Sequence, residues 1–269
     1  MPTRLWLPAA LIFLAACSAT PPRPVTHETV ADTPDESSVE SPLLRARQLV
    51  VVSTPSWDSP QGELHRYERR GVVWHEVGQA HAVSLGRNGS AWGLGLHPVP
   101  QPGPEKHEGD GRSPAGVFAL TSAFGYDPQQ NTALPYLPMQ ESHYCIDVPA
   151  SPLYNRIVDA RDVGAAAVAG STEPMRLDLH NQGDIRYALG IIVDHNPHAV
   201  PEKGSCIFVH LRRAPDETTA GCTSMEETDM QALLQWIDPE QHPVLVLLPE
   251  AEYARLKSRW GLPEVALLQ

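Results

Sequence analysis

Two residue types in the C-terminal half of the chain could do covalent chemistry together. The run Gly204-Ser205-Cys206-Ile207-Phe208-Val209-His210 brings an imidazole to the end of an apolar stretch. After a short polar loop, Thr219-Ala220-Gly221-Cys222 presents a thiol. A cysteine beside a histidine is an arrangement for nucleophilic acyl transfer, in which the base takes the thiol proton. Downstream, Met230, Leu233, Leu234 and Ile237 recur at helical spacing, and Ser224 followed by Glu227 has the form of a capping box. This pattern predicts Cys222 just ahead of a helix N-terminus, where unpaired N–H groups and the helix dipole would lower the thiol pKa. Gly221 permits a sharp turn, and the backbone N–H groups of Gly221 and Cys222 are candidates for an oxyanion hole. The plainer alternative is a buried or disulfide-bonded cysteine.

Other residues are candidates to line such a site. The stretch from Lys106 to Phe118 packs charge and glycine ahead of Ser113-Pro114 and a short strand. It reads either as a solvated connection or as a loop offering Lys106 or Arg112 to a substrate carboxylate. His195 lies at the polar end of the strand expected over 186–196 and is a candidate lining residue, with a structural role as the alternative. His65, His75 and His81 lack metal-ligand spacing and read as structural. No H-E-x-x-H pattern or paired-cysteine spacing supports a metal, so no metal or cofactor is expected even around His195 and His210. Gly86 to Gly95 is glycine-rich but lacks the order of a nucleotide-binding loop.

These residues need a scaffold and a compartment. The 269 residues suffice for a real hydrophobic core. With 20 Lys+Arg against 32 Asp+Glu, net charge -12, the chain is poorly suited to nucleic acid, which is held by phosphate neutralisation. At the N-terminus, Arg4 precedes the apolar stretch Leu5–Leu14, and small residues lead to Cys17, the order of an export signal. Its end, Leu14-Ala15-Ala16-Cys17, is similar to a bacterial lipobox, which implies a signal peptide over 1–16 and lipidation of Cys17. Ser18 after that cysteine implies, by the same likeness, the periplasmic side of the outer membrane. Residues 17–45 are rich in Pro, Ser, Thr and Glu and read as a disordered tether. Residues 46–269 form the expected folded domain.

Short β-rich runs punctuated by Gly, Asn and Pro predict a mainly β domain. Strands are expected at 48–53, 62–68, 72–77, 80–85, 142–148, 186–196 and 244–249, with helices over 230–237 and 250–259. Residues 175–180 are ambiguous between helix and strand. Asp147, Asn155 and Asp159 read as local hydrogen-bonding residues of the middle segment.

The order of motifs resembles the L,D-transpeptidase catalytic domain (YkuD-like) family. His210 falls on that family's activating histidine; Thr219, Gly221 and Cys222 fall on its threonine, glycine and nucleophile. Ser113-Pro114-Ala115-Gly116-Val117-Phe118 is similar to its usual Thr/Ser-Pro-x-Gly-x-Phe segment. Ala220 stands where the common motif has histidine, Ser224 where Arg or Asn often follows, and the His210–Cys222 loop is short. The resemblance implies a β-sandwich or barrel with a few peripheral helices and a cysteine acyl-enzyme formed on peptidoglycan stem peptides. It further implies resolution by a diaminopimelate amine, by a lysine of an envelope lipoprotein, or by water, the last making a carboxypeptidase or endopeptidase. It implies that a backbone carbonyl can orient His210, and Leu211 occupies the adjacent position. A non-catalytic peptidoglycan-binding lipoprotein is the other class. Cys145 and Cys206 would either pair, bracing the strand that carries His210, or remain two buried thiols.

Overall fold

Runs such as Leu49–Val52 and Val244–Pro249 are apolar without interruption, which suits a strand covered on both faces. The computed structural model describes residues 1, 3 and 41–265 and bears this out: the strands that contain them, Gln48–Thr54 and Val244–Pro249, are buried along their whole length. The expected signal peptide, Cys17 and most of the tether lie outside the described residues. Packing begins ahead of the boundary expected at 46, because Leu43 is 2% exposed and joins the core and the Ser41 hydroxyl donates to Trp260 O.

The strands are β1 (Gln48–Thr54), β2 (Gln61–Arg70), β3 (Val73–Glu76), β4 (His81–Ser84), β5 (Ser90–Trp92), β6 (Ser113–Gly125) and β7 (Tyr136–Pro138). After them come β8 (His143–Cys145), β9 (Ile157–Asp159), β10 (Glu173–Pro174), β11 (Leu189–Val193), β12 (Phe208–Leu211), β13 (Thr223–Met225) and β14 (Val244–Pro249). The α-helices are α1 (Ala160–Val163), α2 (Leu177–His180), α3 (Glu227–Trp236) and α4 (Glu250–Trp260). The order β1-β14-β6-β11-β12-β13-β4-β2, with β2 returning to β1, closes an eight-stranded barrel. The expectation of a mainly β barrel with few helices holds. The short strand expected after Ser113-Pro114 is part of a much longer one, β6.

Period-two alternation sorts the site-bearing strand. Ile207, Val209 and Leu211 point into the main core, while Cys206 and Phe208 face a second apolar cluster on the outer side, which also holds Cys145, Met175, Tyr187 and Cys222. The segment between β7 and β11 covers that outer side and carries a small sheet, β10-β8-β9. Residues 175–180 resolve as the short helix α2. The Cys145–Cys206 disulfide pins the insertion to the strand ahead of His210. Asn155 adds a second pin: its Oδ1 accepts from Cys206 N at 2.9 Å and its Nδ2 donates to the carbonyls of His195 and Asn196. It therefore joins distant segments, whereas Asp147 and Asp159 stay within the insertion, bonding Thr172 and Arg161.

Helix α3 turns Met230, Leu233 and Leu234 inward, as the spacing predicts. Its start differs from expectation. The N-cap is Glu226, no side chain caps it, and the Ser224 hydroxyl is buried without a partner. Residues Thr223–Met225 pair with β12 instead, so Ser224 belongs to the barrel wall.

Candidate functional site

The wall register decides which side chains meet. Val209 pairs with Thr223 and His210 with Ser224 in the parallel β12–β13 ladder. One step earlier, Phe208 N–H donates to Cys222 Sγ at 3.3 Å. Cys222 and His210 therefore share the outer face of adjacent strands and line one cavity of about 280 Å³. Cys222 leads into a strand, five positions ahead of α3, so the expected placement at a helix N-terminus is corrected. The local pattern at 230–237 is helical, but the pairing of 223–225 with β12 is a tertiary contact that intervenes.

That correction changes the electrostatics. The thiol donates to Cys206 O at 3.5 Å while accepting from Phe208 N. Burial pushes its pKa up to about 12, with the Glu173 carboxylate adding to the rise; Phe208 N–H, the Lys106 ammonium and the Tyr187 hydroxyl oppose it. Burial also lowers His210, to about 4. The resting pair is thus neutral thiol and neutral imidazole. His210 Nδ1 lies 2.7 Å from Leu211 O, and a carbonyl can only accept, so Nδ1 carries the proton and Nε2 keeps the lone pair. The base is held by a main-chain carbonyl of its own strand, the kind of group the family resemblance allows.

The Gly-Cys turn is built by residues far apart in sequence. Thr219 Oγ1 donates to Cys222 O at 2.6 Å and accepts from Gly221 N at 3.1 Å. Ser113, the first residue of β6, also donates to Cys222 O, at 3.1 Å, while its oxygen accepts from Gly86 N. A side chain at Gly221 would meet Arg112 O at 3.0 Å, a tight contact that the neighbouring main chain would have to ease. Because the Gly221 amide is engaged by Thr219, the Cys222 amide is the remaining donor of the expected oxyanion pair. Farther along β6, Gly116 has φ +136° and His97 fills the space its side chain would need.

The other sequence candidates divide. Lys106 and Thr219 line the cavity, but Lys106 Nζ is bonded to Asp110 at 2.5 Å and to His107 O. Arg112 is outside the cavity lining; its guanidinium holds Trp57 O, Ser90 O and Asp58. His195 is also outside it, accepting from Leu94 N and bonding Lys203 O, and burial lowers it to about 3. His65 and His81 pair with Glu76 and Asp229, and His75 is exposed. Two cavity residues, Glu173 and Tyr187, were not among the sequence candidates, while Glu108 lies in the stretch read as a possible site loop and Asp147 was read as a local hydrogen-bonding residue. The three carboxylates are held by hydroxyls or amides: Glu108 by Tyr154 and Ser205, Asp147 by Thr172, Glu173 by Tyr187. The cationic lining residues Lys106 and Arg186 are turned to Asp110 and Asp184.

The model of the YkuD family, the L,D-transpeptidase catalytic domain, matches residues 48–246, which spans the strands that form the barrel and both Cys222 and His210. No curated protein and no solved structure matches the chain.

Proposed function

Because the chain belongs to the L,D-transpeptidase catalytic-domain family, whose work is on peptidoglycan, we propose that Cys222 is its acylated nucleophile and His210 its base. The observation that carries the reading is the shared cavity face: a lone free thiol among the described cysteines lines the same cavity as an imidazole whose Nδ1–H is fixed on Leu211 O. A stem-peptide carbonyl enters the cavity and sulfur forms a bond to its carbon as the thiol proton passes to His210 Nε2. A neutral buried pair favours moving the proton during attack over storing a thiolate beforehand. The developing oxyanion is met by the Cys222 amide. Collapse breaks the C–N bond, and the leaving amine takes the proton from Nε2.

Resolution of the acyl-enzyme by a diaminopimelate amine or a lipoprotein lysine completes transfer; resolution by water completes a carboxypeptidase or endopeptidase cycle. Both share the first half-reaction, and transfer is the reading proposed. The N-terminal likeness to a lipobox supports anchoring through Cys17 at the periplasmic side of the outer membrane, which would keep the domain beside the cell wall.

The test is intact-mass analysis of wild type and Cys222→Ala after incubation with a muropeptide or a carbapenem. An adduct on wild type that disappears in the variant is expected. An unmodified wild type, under conditions that acylate a known L,D-transpeptidase, counts against the enzyme reading and leaves peptidoglycan binding without catalysis. Product analysis with and without an acceptor amine separates transfer from hydrolysis.

A further inference from the structure

Beside the thiol stands a pair that the acyl-transfer reading leaves unused. Glu173, on β10 of the insertion, accepts a hydrogen bond from the Tyr187 hydroxyl. Tyr187 is 5% exposed, and its ring meets His210 edge-on at 5.3 Å and Phe208 at 5.5 Å. Glu173, Tyr187, His210 and Cys222 all line one cavity. A phenol has one proton to donate; here it goes to the carboxylate, while the sulfur lines the same cavity and is the other acceptor the phenol could turn to. While Glu173 is ionised the charge-assisted bond to the carboxylate prevails. The same negative charge opposes ionisation of the thiol.

The charged and titratable groups around Glu173 come from each packed element. Tyr187 and Arg186 lie ahead of β11, Asp147 follows β8, Glu108 is in the loop before β6, and Cys222 precedes β13. Arg186 is committed to Asp184 at 2.7 Å, so it neutralises Glu173 only in part. Asp147 and Glu108 add like charge.

We propose that Glu173 is a positioning residue that brakes the Cys222 thiol, acting in part through Tyr187: while the carboxylate is charged it holds the hydroxyl away from sulfur, and when it is neutralised the hydroxyl turns to sulfur and the thiol ionises more readily. A proton can neutralise it, giving a chain from the carboxylic acid to the phenol oxygen and from the phenol to sulfur. A cationic group of an incoming peptide does the same by charge pairing. Burial, which raises Glu173 to about 7, places the proton-driven release near neutral pH. For acyl transfer this rests on the reading of Cys222 as nucleophile; as thiol chemistry it stands alone.

The experiment follows alkylation of Cys222 by iodoacetamide in the full-length protein, mapped on the Cys222 peptide across the neutral range. Wild type is compared with Glu173→Gln, Glu173→Asp, Tyr187→Phe and the Gln/Phe double variant. Glu173→Gln is expected to react about tenfold faster than wild type near pH 8, the gap closing below about pH 6 where wild type is also neutral. Glu173→Asp keeps the charge and restores the slow rate. In the Tyr187→Phe background the gain from Glu173→Gln shrinks. A Glu173→Gln profile that superposes on wild type overturns the brake, and a gain equal at every pH overturns it too, since that reports opening of the cavity. An undiminished gain without the hydroxyl overturns the part played by Tyr187. No peptide substrate enters this assay, so a chain that shows the pH-dependent gain yet forms no acyl adduct loses the transpeptidase reading and keeps the brake.

Discussion

The barrel wall at β12 and β13 and the insertion over it hold their functional groups by different means. In the wall, position comes from main chain: the parallel register sets Cys222 beside Phe208, and a backbone carbonyl fixes the His210 tautomer. In the insertion, position comes from side chains: the Cys145–Cys206 disulfide, the Asn155 amide and the hydroxyl that holds Glu173. A closed ladder changes little when one side chain changes, whereas a segment held at a few points depends on each of them. The proposed nucleophile and base thus sit in the stiff region, and the carboxylate proposed to restrain the thiol sits in the adjustable one.

The largest expected effect probes the wall. His210→Gln should lower acylation of Cys222 by about 10² to 10⁴-fold, read by intact-mass kinetics, because the general base is gone. In wild type the acylation rate should fall as pH drops through about 4, where His210 takes a proton and stops accepting one from sulfur. Next comes Gly116→Ala. Its φ of +136° and the His97 ring 2.1 Å from the added carbon predict a loss of about 3–5 kcal/mol in chemical denaturation. A mild effect would mean the barrel yields more than a closed ring should.

The insertion should respond differently. Replacing Cys145 and Cys206 together by serine is expected to cost about 2–4 kcal/mol. Hydrogen exchange should rise between β7 and β11 while β12 and β13 stay protected. Equal loosening of both regions would erase the contrast. Glu173→Gln should raise Tm by a few degrees near pH 8. A carboxyl raised to about 7 in the fold contributes stability in full below its ordinary value and loses it as pH rises through about 7. The gap should therefore close as the solution is acidified. The smallest effect belongs to Arg112→Gln, expected to leave acylation within about twofold, since that guanidinium serves Trp57, Ser90 and Asp58 outside the cavity.

Much of the wall was legible because its signals are local. β1 and β14 read as continuous apolar runs, β2 alternates, and α3 shows its face at 230, 233, 234 and 237. β6 was foreshortened because its far end, with Thr121 exposed and a register shift opposite Ile191–Val193, loses the apolar pattern. Cys222 was set at a helix start because Ser224 and Glu227 mimic a cap, while the pairing that makes Thr223–Met225 a strand is formed with a segment across the His210–Cys222 loop. Glu173 and Tyr187 had no signal at all. Neither sits in a motif, and only the folding of the insertion brings the carboxylate to the phenol.

The barrel seals through β14, which lies between β1 and β6 although, among the described residues, β1 is the first strand and β14 the last. During synthesis, His210 and Cys222 leave the ribosome before the strand that completes the ring. Until Val244–Pro249 emerges, β1 and β6 each have an open edge, and such long-range pairing is slow to form. The Cys222 thiol therefore precedes in the chain the strand that completes the wall around it, and its surroundings are not set until Val244–Pro249 has paired with both β1 and β6.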